Sequence, residues 1–389
     1  MRTLIKTAIC TAFIANTLHG QNVNLLEKET KKKTVLEDHI ITLGPSGALR
    51  AIGQGAKTEK DLKEIFLKKL PQSMKPFDKK RIFLYAHGGL VEERWGRADA
   101  KEYYEKFLPK GVYPITFVWP SDVPTMMKNG GENFAFRVYK NINNPDLDFA
   151  KRIDVDELNK LRIIAKDKKD QDKLFEDTAF HCSGAAVWQK MKDKAFAATR
   201  NNRGGARLAA KYLAQLCKMM PDLEIHVSGH SAGSIFMGPF VQLLTKKHGL
   251  KIKTVQLRAP ACTFSLFEKY YLPSLKGESI ENFIVMNLTD EKERSDGWSM
   301  YGKSILYLVS NGLEKERGAE LLGMEKFYAL NRTLKGLVQD KKIDYIACPN
   351  EKAASKARRS GANTHGSFAH EKLTIEATLA QILYPQPIQ

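Results

Sequence analysis

Apolar positions along the chain fall into two periods. Arg81-Ile82-Phe83-Leu84-Tyr85-Ala86 and Val112 to Trp119 are nearly continuous apolar runs, which predict strands buried on both faces. Between them, the stretch around Trp95 to Leu108 reads as a helix ended by Pro109 and Gly111. Strand, helix and strand with buried runs predict right-handed βαβ units, a mostly parallel central sheet and helices on both of its faces. Further strands are expected at Leu223 to Val227, Ile252 to Ala261, Asn282 to Asp290 and Ile343 to Cys348. Helices are expected at Ala206 to Met220, Phe264 to Leu275, Tyr301 to Leu313 and Leu373 to Leu383. Upstream, Ile40–Leu43 and Ala48–Ile52 flank Gly44-Pro45-Ser46-Gly47, which predicts an antiparallel hairpin at a sheet edge. Thr58 with Asp61 forms a capping box for an amphipathic helix through Leu62, Ile65, Phe66 and Leu70, expected to stop at Pro71. From Val123 to about Asn202 the pattern lapses into charged helical stretches, so residues 123–202 read as an insertion, a helical lid or cap over the C-terminal edge of the sheet. Residues 1–38 are charged or weakly apolar and read as an N-terminal extension, leaving 39–389 as one α/β domain.

Candidate chemistry sits where the strand at Leu223 ends. There Gly229-His230-Ser231-Ala232-Gly233 forms a G-x-S-x-G elbow, and Ile235, Phe236, Phe240, Leu243 and Leu244 give helical spacing after it. A serine hydroxyl is a weak nucleophile near neutral pH, and a tight strand-to-helix turn exposes it to a base on one side and substrate on the other. The flanking glycines permit that turn, and Ala232 leaves its N–H for a substrate oxygen. The run at Arg81 empties into His87-Gly88-Gly89-Leu90, where glycines after a buried strand can turn N–H groups toward a developing oxyanion. Gly88 or Gly89 is therefore the expected partner of the Ala232 N–H. His87 and His230 read as structural or pocket-lining, and His226 alternates into the sheet.

With H-G-G, G-H-S-A-G, L-T-D and T-H-G in this order, the chain resembles the serine α/β-hydrolases, the lipase and esterase superfamily, over His39 to Leu383. It is most similar to bacterial α/β-hydrolases that share stretches like Leu84-Tyr-Ala-His-Gly-Gly-Leu90, Gly229-His-Ser-Ala-Gly-Ser234, Ala259-Pro-Ala-Cys262 and Lys303-Ser-Ile-Leu-Tyr-Leu-Val-Ser310. The resemblance implies an α/β-hydrolase fold with Ser231 as nucleophile, Asp290 as acid and His365 as base. In that fold the acid follows the strand two places beyond the nucleophile strand, which lands on Asp290, with Asp296 in the same loop as its rival. The base lies in a loop after the last strand, where Asn363-Thr-His-Gly-Ser-Phe368 stands. Where such sequences often carry acidic residues after T-H-G-x-F, this one has Ala369-His370. The activity implied is hydrolysis of carboxylic esters through an acyl-enzyme, without metal or cofactor. The alternatives are an acyltransferase or amidase using the same triad, or a binding protein on a hydrolase scaffold. Phe134, Phe136, Met126, Met127 and Trp188 can line an acyl pocket or pack the insertion's own core.

Composition narrows the partners. A formal charge of +18 over 389 residues allows attraction to anionic lipid headgroups, so the expected partners are a small-molecule or lipid ester and an anionic membrane surface. No basic run is interleaved with aromatics, so no specific nucleic-acid groove is expected. Cys10, Cys182, Cys217, Cys262 and Cys348 are widely separated and form no C-x-x-C pair, which argues against a zinc site or a disulfide framework. No stretch reaches the roughly 18 consecutive apolar residues that span a bilayer. Residues 1–20 have a basic start and a mildly apolar Thr7 to Leu18, the outline of a signal peptide for a secreted or periplasmic protein. That apolar stretch is short and broken by Thr and Asn, which favours a cytoplasmic extension.

Overall fold

The computed structural model describes residues 35–89, 92–121, 168–181, 184–297 and 301–385. The expectations for residues 1–20, Cys10, Cys182, Met126, Met127, Phe134 and Phe136 lie outside these residues. Strands β1 (Ile40–Thr42), β2 (Arg81–Ala86), β3 (Val112–Val118), β4 (Glu224–His230), β5 (Ile252–Arg258), β6 (Ile280–Leu288) and β7 (Asp344–Cys348) form one open sheet. Its order is β1-β3-β2-β4-β5-β6-β7, and every adjacent pair is parallel. The apolar runs of β2 and β3 are buried at every position, as strands covered on both faces must be.

The order reverses between β2 and β4. From β2 the chain moves outward to β3 and then crosses back over β2 to β4, so the loops leaving the C-terminal ends of β2 and β4 diverge to opposite faces. That reversal is where an open α/β sheet leaves a crevice for a ligand. The H-G-G loop leaves β2 and the elbow leaves β4, so the two sequence motifs flank the crevice.

The two faces of the sheet differ in chemistry. Ile82, Leu84 and Ala86 of β2 join the main core cluster with Ile225 and Val227 of β4 and Val255 and Leu257 of β5. Ala209, Leu213 and Leu216 of helix Gly205–Met219 and Ile235, Phe236 and Phe240 of helix Gly233–Gln242 belong to the same cluster. Phe83 and Tyr85 point the other way and pack with Tyr103 and Phe107 of helix Glu93–Phe107 and Ile375 and Ile382 of helix Lys372–Leu383. In register with them on that second face lie His226 and Ser228 of β4, followed by Thr254, Gln256 and Arg258 of β5. Gln256 Nε2 donates to the Thr378 carbonyl at 3.2 Å, which fastens the C-terminal helix onto this polar centre.

Several local expectations change. Ile40–Thr42 is an edge strand paired in parallel with β3, while the second arm of the expected hairpin contributes only isolated bridges, Leu43 to Leu49 and Ala48 to Gly204. The helix opened by the Thr58–Asp61 capping box runs past Pro71: Glu59–Glu64 leads through a π-helical turn, Ile65–Lys69, into Leu70–Met74. Pro71 stands at the start of that last segment, and the wider turn before it accommodates the missing N–H. Within the stretch read as an insertion, helix Gly184–Arg200 buries Trp188, Met191, Ala195 and Phe196 in the main cluster, so Trp188 packs the domain core. Trp188 Nε1 donates to Glu314 Oε1 at 2.7 Å, and Lys192 Nζ reaches Glu314 Oε2 at 2.7 Å. Cys262 and Cys348 are buried, and Cys217 is half-buried. Among the described residues no helix is long and apolar enough to cross a membrane.

Candidate active site

Ser231 follows the last residue of β4 with φ at +52°, a left-handed conformation that costs a side chain of order 1–3 kcal/mol. Hydrogen bonds on both sides hold it there. Its N–H donates to the Arg258 carbonyl at 2.9 Å. Its carbonyl accepts from the N–H groups of Ser234 and Ala261, both at 3.0 Å, and from Ser234 Oγ at 2.6 Å. Ser234 Oγ in turn accepts from the Cys262 N–H at 3.0 Å, tying the elbow to the turn after β5.

The glycines are required by close approach. A methyl group on Gly229 would come within 2.7 Å of the Gly233 carbonyl carbon, and one on Gly233 within 2.1 Å of the Ala86 carbonyl oxygen. The chain at the elbow therefore lies directly against the end of β2. Ala232 precedes helix Gly233–Gln242, so its N–H is among the first-turn donors that have no intrahelical acceptor.

The H-G-G loop is in contact with the elbow. A methyl on Gly88 would sit 3.3 Å from Ser231 Cβ and 3.2 Å from His230 Nδ1, and one on Gly89 would sit 2.9 Å from Ala232 Cβ and 2.6 Å from Met191 Sδ. His87 holds this loop. Its Nε2 accepts from the Trp119 N–H at 3.1 Å, which leaves the ring proton on Nδ1, and Nδ1 donates to the Gly88 carbonyl at 2.8 Å. Ser121 Oγ donates to the same carbonyl at 3.0 Å. A trans peptide places its N–H opposite its carbonyl, so fixing the Gly88 carbonyl fixes the direction of the Gly89 N–H.

His365 lies beyond β7 and is buried. His230 Nε2 donates to its carbonyl at 3.0 Å, and the two imidazoles stand 5.1 Å apart between centroids. Asp296 Oδ2 accepts the His365 main-chain N–H at 2.6 Å. Burial pulls the His365 imidazole down to about 4, so it is neutral at pH 7 and able to accept a proton. Its Nδ1 makes no hydrogen bond among the described residues. Burial pushes Asp296 up to about 6, opposed by the His365 N–H.

Asp290 stands apart from this group. Its Oδ2 accepts from Arg294 Nε and its Oδ1 from Tyr307 Oη, both at 2.6 Å. Burial opposes its ionisation, but these two hydrogen bonds hold the carboxyl below its ordinary value. Glu293, between the two aspartates in sequence, is buried and pushed up to about 8; it accepts from Ser304 Oγ. The structure thus sets Gly88 and Gly89 against Ser231 and Ala232, brings His365, with Asp296 on its main chain, against His230 of the elbow, and places Asp290 in a separate cluster with Arg294 and Tyr307.

Arg258 escapes the sequence reading. It is fully buried at the end of β5, donates from Nη1 to the Phe368 carbonyl at 3.2 Å and from Nη2 to Tyr103 Oη at 2.5 Å, and stacks over Tyr85 and Tyr103. The available signal was a cation within the buried run Val255-Gln-Leu-Arg-Ala259, since an arginine in a two-sided strand needs partners. Among the described residues no group of three or more His, Cys, Asp or Glu could hold a metal ion. Comparisons with protein-family models, curated proteins and solved structures give no match to this chain.

Proposed function

We propose that the chain is a serine hydrolase of the α/β-hydrolase type that cleaves carboxylic esters, with Ser231 as nucleophile and His365 as base. The observation that carries this reading is the left-handed Ser231, held by hydrogen bonds on both sides at the sheet's reversal point, with Gly88 against it and Gly89 against the neighbouring Ala232. A strained residue over-determined by its surroundings at a ligand crevice is the form an activated serine takes.

The chemistry follows from the groups present. Neutral His365 takes the Ser231 Oγ proton as Oγ attacks the ester carbonyl carbon. The resulting oxyanion meets the N–H groups of Ala232 and Gly89, each able to contribute about 3 kcal/mol in the transition state. The imidazolium then gives its proton to the departing alkoxide, leaving an acyl-serine. A water deprotonated by the same histidine attacks that ester and returns Ser231. We assign Asp296 as the acid in place of Asp290, because it holds the main chain of His365, whereas Asp290 is engaged by Arg294 and Tyr307.

Turnover of short and long p-nitrophenyl esters tests this assignment. Asp296→Asn should lower kcat/KM about a hundredfold or more, while Asp290→Asn should change it by less than about threefold. The reverse ranking would return the acid role to Asp290, and a folded wild type inert toward every ester would contradict the proposal.

A further inference from the structure

The turn that carries His365 continues as a short 3-10 segment, Gly366–Ala369, and ends at His370. Its start is held by Asp296 and His230, and its middle by Arg258 on the Phe368 carbonyl. Its end faces a second charged cluster outside the groups used for catalysis. His370 Nδ1 lies 3.4 Å from Asp99 Oδ1 and 3.6 Å from Glu102 Oε2, both on helix Glu93–Phe107. Asp99 is buried, its Oδ2 takes the Tyr85 hydroxyl at 3.1 Å, and its Oδ1 makes no hydrogen bond among the described residues. Glu102 Oε1 is bound by Lys106 Nζ at 2.8 Å. Trp95 packs near the His370 ring at 6.1 Å between centroids, and the buried Arg258 and His230 lie on the sheet side.

Geometry shows what His370 does. Arg258 and Lys106 balance the formal charges of Asp99 and Glu102, but Asp99 Oδ1 has no hydrogen bond among the described residues and faces His370 Nδ1 across 3.4 Å, so a cationic His370 supplies the direct counterion of that buried oxygen. Leaving a buried charge without its counterion is costly. We infer that His370, bridging to Asp99 and Glu102, is a protonation-dependent latch that holds the His365 turn against helix Glu93–Phe107 and thereby positions the His365 imidazole. His370 touches no reacting atom and is a positioning residue. The part of the inference that concerns reactivity rests on the hydrolase reading.

The direction of the pH effect follows from two shifts. Burial disfavours the His370 imidazolium, but Asp99 and Glu102 together raise its proton affinity above that of an ordinary histidine. Burial pushes Asp99 up to about 6. In both cases the folded state holds protons more tightly than the unfolded chain. The His370 contribution is therefore present below the unfolded histidine value and is lost as pH rises through the raised His370 value, while its Asp99 arm weakens below about 6 as that carboxyl takes up a proton and leaves Glu102 as the partner.

The test combines hydrogen exchange, an NMR titration of His370 and labelling with a fluorophosphonate, on the full chain. His370→Gln should speed amide exchange across residues 365–371 about tenfold at pH 7 without a matching loss of global stability. Glu102→Gln should lower the His370 midpoint. Wild-type labelling should fall about tenfold as pH rises through that midpoint. His370→Gln should label slowly at every pH, and His370→Lys, which keeps the cation, should restore labelling and remove the alkaline fall. Unchanged exchange in His370→Gln, or a midpoint unmoved by Glu102→Gln, would overturn the latch. Labelling of His370→Gln at the wild-type rate would overturn its coupling to His365. A wild type that never labels would refute the hydrolase reading, and exchange and titration would then decide the latch by themselves.

Discussion

Ser231 carries a backbone cost with no packing return, since its side chain donates to no described neighbour and its φ of +52° suits glycine. Ser231→Gly should therefore raise the unfolding free energy by about 1 kcal/mol, measured by urea denaturation, while destroying reactivity. A destabilised glycine variant would mean that the elbow is unstrained. The elbow was legible because glycines at close approaches and a serine between them leave a fixed spacing in the sequence. The contact of Asp296 with the His365 main chain was harder to foresee. Choosing between two aspartates in one loop depends on which reaches the turn after β7, and a hydrogen bond to the main-chain N–H of a residue far along the chain leaves no local pattern. The Asp99–His370 contact was hidden for the same reason, whereas Arg258 left a mark in the sequence, a cation within a buried apolar run.

At the scale of elements, the helices that frame the site are as informative as the strands. Helix Gly184–Arg200 sets Met191 against Gly89 and buries Trp188 in the core, so part of the stretch expected as a cap is a wall of the domain itself. Its alternation of apolar and charged positions did not separate these roles, because a helix packed on a sheet and one packed on its own neighbours share the same period. The run past Pro71 was missed because a π-helical turn has no sequence mark of its own. Helix Gly184–Arg200 is fastened by the nearly buried pair Lys192–Glu314 together with Trp188. Removing one partner of such a pair strands the other, so Glu314→Ala should cost about 3 kcal/mol, read from the denaturation midpoint at unchanged slope. A cost below about 1 kcal/mol would show that the helix is held by apolar packing alone.

For the whole molecule, parallel sheet order and the two motif-bearing loops follow from buried apolar runs separated by helical stretches, and those features were legible. The polar face under helix Lys372–Leu383 was not foreseen, since a buried polar centre resembles the polar side of an exposed strand in sequence. A separate buried carboxyl, in the segment after β6, makes stability depend on pH. Glu293 is pushed up to about 8 by burial, with Asp296 and Asp290 adding to the shift, so the folded protein keeps a proton that the unfolded chain loses near the ordinary glutamate value. With more protons bound in the folded state, stability should fall as pH rises from about 4.5 to about 8, at no more than about 1.4 kcal/mol per pH unit from this group. Glu293→Gln should flatten that decline in thermal melts, and an unaltered pH profile would refute the assignment. The measurement that bears most directly on the central claim is reaction with a fluorescent fluorophosphonate, followed by mass mapping of the modified peptide. A single adduct on Ser231, absent from Ser231→Ala and strongly slowed in His365→Ala, is the predicted result. An adduct on another residue, or labelling that survives Ser231→Ala at the wild-type rate, would contradict the account.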